Sequence, residues 1–207
     1  MKSLLIHGCY DSATLDTLKS KGIKELSFDL RGRSPNLIPF RDLKVLLQKV
    51  PGDKIFLTFE NDRKETILSF LNLLSDQPFN FTLIFRDARE ASFYEELGKP
   101  FFWMFSPEGN WQKILEAQNI KGVLLPLKYQ LHYQRLPELW GMIERKHLDV
   151  YLHADTFEET AFIKDDDEMN LSIDLGQEVE ESFRKINQNK LNQMKIWRPF
   201  NENPAGQ

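Results

Sequence analysis

Blocks of apolar and polar residues alternate along residues 3–38 and predict a strand, a helix and a second strand. The apolar run Leu4–Ile6 stops at a short polar turn, after which Asp11 or Ser12 can cap a helix. A second apolar run, Leu26–Leu30, follows the helix and ends in a basic turn. A strand, a helix and a strand joined by short loops are typical of the parallel βαβ unit.

The same alternation recurs about every 26 residues over the rest of the chain and predicts eight strands. The predicted strands are Leu4–His7, Leu26–Leu30, Lys54–Glu60, Phe81–Phe85, Pro100–Phe105, Val123–Leu127, Leu148–Leu152 and Leu171–Leu175. The helices predicted after the second strand are Phe40–Val50, Thr66–Leu74, Ala91–Leu97, Trp111–Ala117, Pro137–Lys146, at most a short one in Thr156–Ile163, and a long closing helix, Glu178–Ile196. Because proline cannot donate to a ladder, Pro126 should lie at or beyond the point where pairing of the sixth strand stops.

Eight strands alternating with helices predict an α/β fold: a single small (β/α)8 TIM barrel over residues 1–207, with a frayed tail at 198–207. An open doubly wound sheet is the alternative, but open sheets of this length usually have fewer strands. In the barrel, the first strand pairs with the eighth. The residues expected to be buried include Leu5, Phe28, Leu57, Ile84, Met104, Leu124 and Ile173.

Composition and charge narrow the class of protein. The chain is 41% hydrophobic and 28% charged, as in ordinary globular domains, and its net charge of −4 argues against nonspecific nucleic-acid binding. The first apolar run is too short for a signal peptide, and no run approaches the length of a membrane span. The single cysteine, Cys9, excludes an internal disulfide and a cysteine-based metal site. These features predict a soluble cytoplasmic protein.

Active sites of this fold lie at the carboxyl ends of the strands, where we expect a small-molecule ligand to bind. The candidates for catalysis are His7 and Asp174, and the candidates for substrate binding are Asp29, Arg31, Arg86, Lys128, His153 and Asp155. A solvated or hydrogen-bonded structural role is the competing interpretation for each, because loops at a barrel mouth are polar in any case. Strand alternation requires some of them to point outward, and the sequence does not assign the faces.

Short segments near both ends of the chain are similar to those of one enzyme family. They read LIHG at 5–8, DSA at 11–13, LSFDL at 26–30, RSPN at 33–36 and IDLGQEVE at 173–180. These segments resemble the phosphoribosylanthranilate isomerase family, small (β/α)8 barrels of tryptophan biosynthesis. The resemblance implies a barrel with its site at the mouth and a sugar-phosphate isomerase as its nearest known activity.

The positions that carry catalysis in that family are changed here. The family's general base is a cysteine that matches His7, whereas Cys9 lies two residues later and does not match. Its general acid is an aspartate at the end of the sixth strand, where this chain has Pro126, and its arginine after Ser-Pro becomes Asn36. Asp174 matches an aspartate that binds substrate hydroxyls in the family. The imidazole of His7, with an ordinary pKa near ~6.5, could replace the thiolate as base.

The phosphate-binding glycines of the family are also missing. The family has Gly-Gly after the seventh strand and Ser-Gly after the eighth, because close backbone approach to phosphate favours glycine. Here these positions read HAD at 153–155 and GQE at 176–178, so Asp155 and Glu178 add negative charge. A lysine and aromatic side chains at 128–133 replace the glycine-rich loop after the sixth strand. We therefore expect weak phosphate binding.

Two imidazoles and one carboxylate come together in the predicted barrel. His7, His153 and Asp174 lie on strands one, seven and eight, which are neighbours once the barrel closes, and such a set can bind a metal ion. Hydrogen-bonded structural roles are the favoured interpretation, so the sequence assigns no metal ligand and no cofactor.

Two classes of function remain open. In the favoured class, the chain is a divergent barrel that has lost the isomerase chemistry and binds a small molecule or a protein partner, without contact to nucleic acid or membrane. In the other class, it is still an isomerase of phosphoribosylanthranilate or a related sugar phosphate, with His7 as base. The first is favoured because the matched catalytic positions and the phosphate-binding glycines are changed.

Overall fold

The computed structural model describes residues 3–50, 52, 54–76, 78–160, 170–176, 179–182 and 185–193, and in this part eight parallel strands close into a barrel. The strands follow one another in sequence order, and β1 pairs with β8. They are β1 Leu4–His7, β2 Glu25–Asp29, β3 Lys54–Phe59, β4 Phe81–Phe85, β5 Phe101–Met104, β6 Ile120–Pro126, β7 Asp149–Ala154 and β8 Asn170–Asp174. The predicted (β/α)8 barrel is confirmed, and the open sheet is excluded.

Helices cover the outside of the barrel between successive strands. They are α1 Ser12–Ser20, α2 Phe40–Leu47, α3 Lys64–Leu73, α4 Ala91–Glu96, α5 Trp111–Glu116, α6 Gln130–Tyr133, α7 Pro137–Lys146 and α8 Phe157–Thr160, with a 3₁₀ turn at Leu127–Tyr129. Asp11 caps α1 by accepting a hydrogen bond from the Thr14 amide at 2.8 Å. Pro126 is the last residue of β6, as the missing amide proton requires.

The core has two parts, one on each side of the strands. The larger part fills the space between strands and helices and contains Phe28, Leu57 and Ile173. The smaller part lies inside the barrel and consists of Leu5, Phe56, Ile84, Phe102, Met104, Leu124 and Tyr151. All seven residues predicted to be buried are at most 8% exposed. Strands buried on both faces explain why their sequences are almost continuously apolar.

The long closing helix predicted over Glu178–Ile196 is wrong. The described residues form an antiparallel pair of short strands, β9 Glu180–Ser182 and β10 Lys185–Ile186, followed by a short helix, α9 Gln188–Gln193. The helix begins late because the side chain of Asn187 accepts hydrogen bonds from the amides of Asn189 and Lys190. Residues 161–169, which include the acidic loop at 165–168, and the tail at 198–207 lie outside the described residues.

None of the helices in the described part of the chain is long and apolar enough to cross a membrane.

Candidate functional site

A polar layer lies inside the barrel at the carboxyl ends of the strands, directly beyond the apolar interior cluster. Two residues after Leu5 on β1 comes His7, and two residues after Tyr151 on β7 comes His153. Since side chains two apart on a strand face the same way, both imidazoles continue inward-facing rows. His7 pairs in register with Asp174 of β8, so residues from the two ends of the chain meet at the β1–β8 seam.

Ser172 of β8 joins the two histidines. Its hydroxyl oxygen lies 2.7 Å from Nε2 of His7 and 2.9 Å from Nδ1 of His153. The outer nitrogens, Nδ1 of His7 and Nε2 of His153, have no hydrogen-bond partner, although the two residues are only 3% and 0% exposed. Burial lowers the pKa of His7 well below its ordinary value, and the nearby charge of Asp174 offsets this only in part. His7 is therefore a neutral imidazole whose Nδ1 has no hydrogen-bond partner.

Asp174 ends β8 and is held by an arginine from the opposite side of the barrel. Nη2 of Arg86, which directly follows β4, lies 2.6 and 2.7 Å from the two carboxylate oxygens. Burial by itself raises the pKa of Asp174, but the guanidinium of Arg86 and the two neighbouring imidazoles outweigh it and hold the pKa well below the usual range. Asp174 is accordingly a carboxylate at neutral pH.

Asp155 extends the network toward the rim. Its Oδ1 lies 3.3 Å from Nε2 of His153, and its Oδ2 accepts a hydrogen bond from Nζ of Lys128 at 2.7 Å. The contact with His153 and the charge of Lys128 hold the pKa of Asp155 well below its usual range. Arg86, Asp174, His153, Asp155 and Lys128 thus form one line of polar contacts across the mouth.

Asp29 and Arg31 form a second charged group. Nε and the backbone amide of Arg31 donate to Oδ1 of Asp29 at 2.9 and 3.0 Å, and the hydroxyl of Ser34 donates to the same carboxylate. Nη1 of Arg31 lies 3.7 Å from Glu60. This group orders the turn after β2, and the charge of Arg31 is neutralised by Asp29 and Glu60.

The structure therefore brings six of the eight predicted site residues into one connected network and leaves Asp29 and Arg31 in the neighbouring group. The set His7, His153 and Asp174 could hold a metal ion, since one ligand atom from each lies within 4.8 Å of the others. Each cation of the predicted set, Arg31, Arg86 and Lys128, is paired with a carboxylate. The two catalytic and six substrate-binding assignments stay predictions.

Ser172 was missed by sequence reasoning. It precedes Asp174 by two residues and so shares its face of β8, which is the pattern that could have indicated it. Asn36, which replaces an arginine of the resembling family, is 8% exposed and donates from Nδ2 to the Leu175 carbonyl at 2.8 Å. Cys9 is fully buried, and burial raises the pKa of its thiol to about 12, so it is not a nucleophile here.

Comparison with known proteins finds matches among solved structures but none among family models or curated sequences. No model of a protein family matches the sequence, and no curated protein matches it. Solved structures do match. A phosphoribosylanthranilate isomerase from Thermotoga maritima superposes with a TM-score of 0.67 over 97% of this chain and 98% of its own, at 13% identity. The Thermus thermophilus enzyme gives 0.67 over 95% and 97%, at 17% identity.

The fold is shared with phosphoribosylanthranilate isomerases. A third structure of that enzyme, in complex with reduced 1-(o-carboxyphenylamino)-1-deoxyribulose 5-phosphate, gives a TM-score of 0.64 over 92% of this chain and 95% of its own, at 14% identity. The resemblance inferred from the end segments is therefore confirmed as a likeness of fold that extends over nearly the whole chain. At such low identity, it transfers neither the activity nor the ligand.

Proposed function

We propose that this chain is a small-molecule-binding barrel that does not isomerise phosphoribosylanthranilate. The observation that carries the proposal is Pro126, the last residue of β6. It occupies the position of the general acid in the family that the sequence resembles. Isomerisation of this substrate needs an acid to open the ribose ring and a base to remove the C2 proton, and a proline side chain has no proton to give.

Two carboxyl groups of the described mouth, those of Asp174 and Asp155, are poor replacements for that acid. The pKa values of Asp174 and Asp155 are held below the usual range by Arg86, Lys128 and the histidines, so both are ionised at neutral pH. Losing an acid or a base normally costs on the order of 10²–10⁴ in rate.

The electrostatics of the mouth also disfavour a phosphate ester as ligand. The backbone amide of Asp155, at the end of β7 where the family has glycines, donates to Oε2 of Glu159 at 2.8 Å. The Asp155 carboxylate lies at the same place and repels anions, while Lys128 and Arg86 are paired. Residues 177 and 178, where the sequence adds Glu178, are outside the described part. These contacts support weak phosphate affinity.

A second candidate function is an isomerase that uses His7 as base. The observation in its favour is the neutral, buried imidazole with its unpartnered Nδ1. Such a group can accept a proton from a bound substrate without first losing one. This candidate ranks second because Pro126 provides no acid at the end of β6 and the nearby Asp174 and Asp155 are ionised.

A steady-state assay of the purified chain with phosphoribosylanthranilate tests the proposal. We expect activity far below a kcat/KM of ~10⁴ M⁻¹s⁻¹, the low end for ordinary enzymes, and no growth rescue of a tryptophan auxotroph. A value within about tenfold of that figure, lost in His7→Gln but kept in the exposed-histidine control His132→Gln, would establish the second candidate. Mass spectrometry of small molecules that copurify with the chain would identify its ligand. The proposal also places the protein in the cytoplasm.

A further inference from the structure

The polar layer contains an arrangement that the isomerase comparison does not explain. The two imidazoles are buried, yet each has an outer nitrogen without a hydrogen-bond partner. Leaving such a group unpaired in the interior of a protein is energetically costly, because the group has lost its hydrogen bonds to water. Around Nε2 of His153 lie two carboxylate oxygens, Oδ1 of Asp155 at 3.3 Å and Oδ1 of Asp174 at 3.9 Å. Unpartnered ring nitrogens and carboxylate oxygens thus lie close together at this point of the barrel.

We propose that His7, His153 and Asp174 bind a divalent first-row transition-metal ion at the mouth of the barrel. One ligand atom from each lies within 4.8 Å of the others. Ligands at about 2.0–2.2 Å from one ion are separated by at most roughly 4.4 Å, so closure around an ion needs only small side-chain movements. The proposal rests on these contacts and does not depend on the proposed function.

The hydrogen bonds behind the three ligands suit this role. A serine hydroxyl oxygen has two lone pairs, so Ser172 can accept from Nε2 of His7 and from Nδ1 of His153. That arrangement places the ring protons on the serine side and leaves lone pairs on both outer nitrogens. Metal-binding histidines almost always donate their second ring N–H to an oxygen in this way. Ser172 is therefore a positioning residue.

Asp174 can still bind a metal ion while it is paired with Arg86. Asp174 offers about four lone-pair positions, and Arg86 uses one on each oxygen. The arginine fixes the carboxylate in the same manner as the outer hydrogen bonds of known metal sites. Its positive charge opposes the cation, whereas Asp155 at the rim attracts it.

The ligand set indicates which ion fits. Two imidazoles with one carboxylate suit Zn²⁺, Fe²⁺, Co²⁺ or Mn²⁺, whereas Mg²⁺ and Ca²⁺ prefer oxygen ligands throughout. Three protein ligands leave further coordination positions on such an ion for water or another ligand. A metal ion there would turn a mouth of paired charges into an acceptor for an anionic ligand.

The rival explanation is a proton. An imidazolium at His153 would satisfy Nε2 between the two carboxylates without any metal ion. His153, Asp155 and Asp174 would then form a network of ion pairs and no metal site. The two explanations differ in whether His7 takes part, because Nδ1 of His7 gains nothing from a proton on His153.

Calorimetric titration of Zn²⁺, Co²⁺ and Mn²⁺ into the full, EDTA-treated chain, without a polyhistidine tag, tests the proposal. We expect one ion per chain. His7→Gln keeps a donor at the Nε2 position toward Ser172 and removes Nδ1, and His153→Asn keeps the Nδ1 position and removes Nε2. Each variant should weaken binding by more than about 100-fold, and Ser172→Ala by about 10–100-fold.

The control is the double variant His132→Gln, His147→Asn, which removes the two exposed histidines and should leave the affinity unchanged. Absence of binding below millimolar concentration for all three ions, or equal binding in wild type and the site variants, overturns the proposal. Should the site variants fail to fold, nitrogen NMR of histidine-labelled wild type decides. Zn²⁺ must then shift the ring-nitrogen resonances of two of the four histidines, the two that remain in the double control variant.

Discussion

Two layers of the barrel interior, separated by two residues along the same strands, differ in how they fill space. The lower layer is an apolar cluster built from Leu5, Phe56, Phe102, Leu124 and Tyr151 with two neighbours. The upper layer contains polar side chains: the two histidines and the hydroxyls of Ser27, Thr58 and Ser172, all at most 3% exposed. Packing accounts for the lower layer, whereas the upper layer depends on hydrogen bonds, because buried polar groups cost free energy unless they are paired. Its hydroxyls are paired with one another or with the histidines, and only Nδ1 of His7 and Nε2 of His153 lack a partner there.

The largest effect should come from emptying the lower layer. Phe56→Ala removes a ring that is 1% exposed and contacts the ring of Phe102 edge to face at 5.5 Å between centroids. The loss of buried area and the cavity left behind should lower the free energy of unfolding by about 3–5 kcal/mol. Urea denaturation measures it. In the upper layer, two residues along the strand, Thr58→Val should cost about 1 kcal/mol, the value of one hydrogen bond; an equal cost at both positions would contradict the distinction.

A smaller loss of stability should follow from adding a side chain next to the lower layer. A Cβ added to Gly122 would lie 2.1 Å from Cε1 of Phe102 and 2.5 Å from the Asp149 carbonyl oxygen. Gly122→Ala should therefore reduce stability by about 1–3 kcal/mol, because both neighbours are fixed in the barrel. Gly141→Ala is the matched control: nothing lies within 4 Å of its Cβ, and alanine favours helix α7 by up to about 1 kcal/mol. Thermal or urea denaturation should give opposite signs.

The upper layer should respond more weakly to deletion of its central hydroxyl. Ser172→Ala removes the shared partner of both imidazoles and should cost about 1–2 kcal/mol in metal-free protein. An exposed serine such as Ser75 offers a comparison, because its replacement by alanine should stay within about 0.5 kcal/mol. Equal values for the two serines would mean that the histidine bridge contributes nothing to stability.

Acid should destabilise the upper layer through His7. Because burial lowers its pKa, the unfolded chain binds a proton more readily than the folded chain in the pH range between the two values. This contribution is complete above about pH 6.5 and is lost as pH falls, by at most about 1.4 kcal/mol per unit. Urea titrations in EDTA at several pH values between about 5.5 and 7.5 measure the slope. The slope should shrink in His7→Gln; an unchanged slope would assign it to other groups.

The strands were predictable because burial on both faces makes them continuous apolar runs bounded by polar turns. Helices packed on the barrel followed from their spacing, and α7 Pro137–Lys146 is reproduced to the residue. The closing helix failed because the apolar positions after 178 fit a helical period, whereas the side chain of Asn187 starts a new helix there. Periodicity cannot show where a polar side chain caps the backbone.

For the site, the sequence indicated which residues end the strands but not which of them meet. The link between Arg86 and Asp174 joins residues on opposite sides of the barrel, so it follows from closure and not from any local pattern. Ser172 was overlooked because a serine inside a strand carries no chemical signature until the histidines beside it are known. The pairing of Arg31, Arg86 and Lys128 with carboxylates likewise depends on the three-dimensional structure and could not be predicted from the sequence.

The seam between β1 and β8 has a consequence for how the protein is made. The site depends on His7 and Ser172, which are 165 positions apart. During synthesis, the first strand leaves the ribosome long before its partner exists, and its edge stays unpaired until β8 is complete. Contacts of such long separation slow folding and extend the time in which an open edge can pair wrongly. The polar layer therefore assembles only after β8 has been synthesised and has paired with β1.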